Sequence, residues 1–119
     1  MRIRKAIDDL WIELDVRRLG TDLLAVLHGG AEHVGCVVLA LPRPSLANPQ
    51  LTSCTSSVIN RAGHKDEVLC RMVAEQLCIR FETAVVCTGG IHFDEITEQQ
   101  LCRLRALAES ILAEIEAKY

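Results

Sequence analysis

Residues 11–20, WIELDVRRLG, alternate apolar Ile12, Leu14 and Val16 with charged Glu13, Asp15 and Arg17. A period of two is the pattern of a strand with one face buried and the other wet. It commits the chain to a sheet. TDLLAVLHGG (21–30) is a second apolar run closed by two glycines, and HVGCVVLALP (33–42) is a third. The short GGAE between them predicts an antiparallel hairpin. LTSCTSSVI (51–59), β-branched and rich in hydroxyls, predicts a fourth strand that either edges the sheet or lines a site. All three prolines fall in PRPSLANPQ (42–50). Pro-Arg-Pro is extended and cannot continue a ladder, so this stretch predicts a long loop.

From Asp66 to Phe81 the apolar positions Leu69, Met72, Val73 and Leu77 recur at helical spacing. ETAVVCTGG (82–90) predicts a short buried strand. Thr97 and Gln100 then form a capping box, with Ile96 and Leu101 placed as a hydrophobic staple. Leu101, Leu104, Ala108, Ile111, Leu112 and Ile115 mark one face of the final helix. The expected fold is α+β: a four-stranded antiparallel meander followed by α-β-α, with two helices packed on one face of a five-stranded mixed sheet. Residues 1–119 make one domain.

A chain of 119 residues buries roughly two thirds of its unfolded surface and needs no disulfide or metal staple. Half of it is apolar but only 3% is aromatic, so the core is aliphatic. That apolar fraction in a short chain predicts a homo-oligomer, a dimer first of all. A net charge of −3 with mixed signs excludes a nucleic-acid footprint. The apolar runs are too short to span a membrane, and MRIRKAIDDLW lacks a signal core, which predicts a cytoplasmic protein. The six cysteines, at 36, 54, 70, 78, 87 and 102, show no C-x-x-C spacing. They read as small buried hydrophobes.

Three stretches carry glycine, histidine and charge: GGAEHVG (29–35), AGHKDEVLC (62–70) and GGIHFDE (89–95). In the expected topology all three loops reach one end of the sheet, together with two helix N-termini, which favour an anion. Glycines 29, 30, 35, 63, 89 and 90 allow close backbone approach there. His33, His64 and His92 bring three imidazoles; Lys65, Asp66, Glu67, Asp94 and Glu95 bring charge. The plainer readings are helix-dipole complements for the acids, ordinary turns for the glycine pairs, and a packed strand residue for His28. No HExxH, P-loop or dinucleotide motif is present. His33, His64, His92 and Asp94 are candidate ligands for a divalent metal, in which case a small metal- or histidine-dependent enzyme would use the same cleft. A non-catalytic subunit is a third class. The residues themselves favour an anionic small molecule in a polar, glycine-lined cleft.

GGAEHVGCVVLALPRPSL, NRAGHKDEVLCRMVAEQL and VVCTGGIHFDEIT together resemble the LpdD-like prenylated-flavin chaperones, over roughly residues 20–100. These are accessory proteins of UbiD-type decarboxylases of hydroxylated aromatic acids. The resemblance implies an accessory protein rather than an enzyme, which binds prenylated flavin mononucleotide (FMN), with the decarboxylase and a flavin prenyltransferase as partners. The matched loops hold Gly30, His33, Gly63, His64, Lys65, Asp66, Gly90, His92, Phe93 and Asp94 as candidate cofactor-binding residues. Phe93 is the single aromatic among them.

Overall fold

The computed structural model describes residues 1–61 and 66–119. Its elements run β1 (Arg2–Ile7), β2 (Leu10–Leu19), β3 (Asp22–Gly30), β4 (Cys36–Pro44), β5 (Thr52–Asn60), α1 (Glu67–Phe81), β6 (Val85–His92) and α2 (Glu98–Lys118). The strands form one six-stranded sheet in the order β1-β2-β3-β6-β4-β5. Both helices pack on one face, α1 over β4, β5 and β6, α2 over β1 and β2.

This corrects the expected five-stranded sheet and its four-stranded meander. The sixth strand is β1, which pairs Arg2–Ile7 against Asp15–Leu10. Its residues mix Arg2, Arg4 and Lys5 with Ile3, Ala6 and Ile7, so it carries no apolar run. Its ladder to β2 and Ile3 against the core hold it, and charge pairs add to this: Arg4 Nε donates to Glu13 at 2.9 Å and Arg2 reaches Asp15 at 3.3 Å. The meander fails because β6 inserts between β3 and β4, parallel to β3 and antiparallel to β4. The expected β3–β4 hairpin therefore does not exist. Residues 31–35 step over the end of β6 instead.

The prolines are a second correction, because β4 runs through Pro42 and Pro44. The Arg61 N–H donates to Gly35 C=O, which makes the odd-numbered residues of β4 those bonded to β5. Pro42 and Pro44 therefore turn their missing N–H toward β6. There β6 pairs only Cys36–Ala40, so no ladder bond is lost. β5 is the sheet edge, with Ser53, Thr55 and Ser57 on its uncovered side.

The core lies between sheet and helices and is aliphatic: Ile12, Leu14, Ala25, Leu27, Val38 and Val85 meet Val73, Leu77, Ala108, Ile111 and Leu112. The expected capping box forms, with Thr97 Oγ1 accepting from Gln100 N–H at 3.1 Å and Gln100 Oε1 from Thr97 N–H at 2.8 Å. Four cysteines are buried as expected, Cys54 is half-buried and Cys102 is exposed. Among the described residues no helix is long and apolar enough to cross a membrane.

Candidate functional site

β3 and β6 run parallel and end together at Gly30 and His92. β4 begins and β5 finishes at the same end, at Cys36 and Asn60. The loops after β3, β5 and β6 thus converge. The reason differs from a meander: the chain leaving β3 must cross β6 to reach β4. Ala31 N–H donates to His92 C=O at 3.0 Å and Gly35 N–H to Gly89 C=O at 2.8 Å, which laces this crossing onto β6.

The crossing sets the His33 imidazole directly over Gly90, in the space a Cβ there would need. His33 Nδ1 lies 3.1 Å from Ala31 C=O and Nε2 lies 3.0 Å from Asp66 Oδ2. Both partner atoms are acceptors, so the ring is oriented from both sides. Asp66 occupies the N-cap position of α1, yet its side chain makes no cap hydrogen bond. Its Oδ1 accepts from Ile91 N–H at 2.8 Å instead, and its side chain is only 9% exposed. Gly35 is required because a Cβ there would strike the Asp66 carboxylate. One buried carboxylate therefore ties the α1 start, the end of β6 and the crossing loop together.

His92 is exposed and lies 3.2 Å from Asp94 Oδ1. Its ring stands edge-on to that of His33, centroids 6.4 Å apart. Phe93 is half-buried beside Gly30. The structure thus brings Gly30, His33, Asp66, Gly90, His92 and Phe93 to one end, with Asp94 at the solvent margin. Gly63, His64 and Lys65 lie outside the described residues. The metal reading gains no support: among the described residues no group of three or more His, Cys, Asp or Glu is arranged to hold an ion. His33 and His92 each face their own carboxylate.

Sequence reasoning missed two features. Arg61 follows β5 at the same end and donates from Nη1 to Val34 C=O at 3.4 Å. The second is a charged cluster on the helix-free face of the sheet. Glu13 is buried and pairs with Arg4 at 2.9 Å and His28 Nε2 at 3.1 Å. Arg4 lies over the Trp11 ring at 4.1 Å, and His28 meets that ring edge-on at 5.6 Å. Burial pushes the Glu13 carboxyl up, but Arg4 and His28 together outweigh it and hold the group below the usual glutamate range. The alternation of residues 11–17 exposed this face, but nothing in it named the partners. Beneath the site, burial pushes the Cys36 thiol up, and the neighbouring Cys87 raises that of Cys70. These thiols are packing groups, not nucleophiles.

One surface cavity lies away from this end, and a second runs along α1 from Glu67. One is lined by Val16, Leu23, Phe81 and Ile115, the other by Val68, Met72 and Ile79 on α1. At the convergent end the Arg61 guanidinium adjoins exposed Val34, and the His33 and His92 rings stand edge-on to each other. Such a surface suits an amphipathic anion with an apolar body.

A comparison with curated proteins found no match. Among solved structures, one described as a novel chaperone complex for yeast 20S proteasome assembly is similar, with a TM-score of 0.54 at 16% identity. The match covers 98% of this chain and 96% of that one. At this identity the likeness shows the fold alone. The family model of the prenylated flavin chaperone LpdD-like domain matches residues 7–119, and the protein belongs to that family.

Proposed function

We propose that the protein binds prenylated FMN at the convergent end and works, as a cytoplasmic homodimer, as a cofactor chaperone or maturation factor for a UbiD-type decarboxylase of aromatic acids. It is an accessory protein, not an enzyme, and receives its cargo from a flavin prenyltransferase. The observation that carries this reading is the family match over residues 7–119.

The geometry supports it. A prenylated flavin has a largely apolar ring system and a phosphate. Exposed Val34 provides aliphatic surface beside Arg61, and the His33 and His92 rings lie at the same end. An acid at the start of α1 would oppose a phosphate there. Asp66 is instead turned inward to Ile91 N–H and His33, which leaves the helix start without a side-chain cap. The phosphate belongs at this start, with Lys65 and His64 as further donors and Gly63 permitting close approach. The flavin itself brings the redox and decarboxylation chemistry used by the partner enzyme; this chain binds, orients and shields it.

The test is an ultraviolet-visible spectrum of the protein purified after co-expression with a flavin prenyltransferase. A flavin-like spectrum at near-stoichiometric yield is expected. A colourless protein carrying stoichiometric zinc, iron or manganese would overturn the reading in favour of a metal enzyme. A colourless, metal-free protein would leave it a non-catalytic subunit.

A further inference from the structure

The helices cover one face of the sheet and leave the other bare. On the bare face the ladders align two rows across four strands. One runs Leu24, Val86, Leu39, Ser57; the next runs Val26, Thr88, Val37, Ile59. Neither row contains a charge. Leu41 extends the patch along β4. Val37 is 37% exposed, Leu39 39%, Leu41 49% and Ile59 75%. The same face changes character at β2 and β1, where Arg2, Arg4, Glu13 and Asp15 pair among themselves.

We infer that this β3-β6-β4-β5 face is the interface with a second copy of the chain, packed sheet on sheet. This gives the proposed homodimer its surface and rests on that part of the preceding reading alone. Charge is the first argument. In a two-fold interface each copy meets the same patch, and a patch without charges brings no like charges together. A partner of different sequence would be selected by complementary charges, and these rows offer none. Area is the second argument. Four strands at about 4.8 Å spacing and nine residues at about 3.3 Å rise span roughly 570 Å² per copy, on strands of the length of β4 and β5, with Asp22 and Arg43 at the far margin outside the two charge-free rows. Two copies bury on the order of 1,200 Å², the lower bound of a standard specific interface. The aliphatic rows interdigitate as in a sandwich core, at about 10 Å sheet separation. The charge-paired β1-β2 margins stay wet at its rim.

The test is the mass in solution, by light scattering, of the flavin-free protein at about 100 µM, well above the weak micromolar limit of small interfaces. Wild type is expected at twice the chain mass of 13.2 kDa. Leu39→Glu is expected at 13.2 kDa with an unchanged far-ultraviolet circular dichroism spectrum. Should Leu39→Glu fail to fold, Ile59→Lys at the more exposed edge gives the same reading. A wild-type monomer would overturn both the homodimer and its surface. A dimer that persists in both folded variants would overturn the surface alone and move the interface to the outer edge of β5 or to the helices.

Discussion

Gly90 and His33 are a fitted pair: the imidazole occupies the space that any side chain at position 90 would take. The ring cannot yield freely, because Asp66 and Ala31 hold its two nitrogens. Gly90→Ala should therefore cost about 1–3 kcal/mol, the range for overpacking a filled site. It should also break the His33–Asp66 contact. Thermal denaturation reads the first effect, and the His33 ring resonances in a proton–nitrogen spectrum read the second. Unchanged stability with unchanged resonances would show that the ring has room to move.

Asp66 acts through two oxygens with different partners. Oδ1 takes the Ile91 N–H and Oδ2 faces His33. Asp66→Ala leaves a half-buried backbone donor unmatched and should lower stability by about 1–3 kcal/mol. Asp66→Asn keeps an acceptor for Ile91 and should lose less than half as much. Equal losses in urea titration would mean that the Ile91 bond contributes little.

These two pairs mark where the sequence stopped being legible. The strand alternation at residues 11–17, the helical spacing at Leu69–Leu77 and the Thr97–Gln100 box are local signals, and each produced the expected element. The convergence of the chain ends after β3, β5 and β6 also emerged, though through a crossing over β6 and not through the hairpin that the short loop suggested. Strand order did not. The insertion of β6 between β3 and β4 is a tertiary choice that leaves no mark in either strand. β1 was invisible because Arg2, Arg4 and Lys5 read as a solvated terminus until their carboxylate partners are known. Asp66 reads as a helix-dipole acid in sequence, since its true partners lie 25 and 33 residues away.

The Glu13 cluster makes stability depend on acid. Burial disfavours the Glu13 charge, but Arg4 and His28 overcome it, so the folded carboxyl titrates below the ordinary value near 4.5. Above that value the folded state gains from the charged form. The gain is lost as pH falls through the folded value. Wild type should therefore exceed Glu13→Gln in melting temperature near pH 7, and the gap should narrow as pH falls below the ordinary value near 4.5. A gap that stays constant as the solution is acidified would mean that Glu13 contributes packing and not charge.

The account stands on a flavin nucleotide at the convergent end, and calorimetric titration with prenylated FMN tests it directly. Wild type should bind saturably with one site per chain. His92→Ala, an exposed change with little packing cost, should weaken binding about tenfold, the effect of losing one hydrogen bond to a charged group. Its melting temperature without ligand should stay unchanged. Absence of saturable binding by wild type, or wild-type affinity retained by both His92→Ala and a charge-removing Arg61→Ala, would contradict a flavin held between these loops.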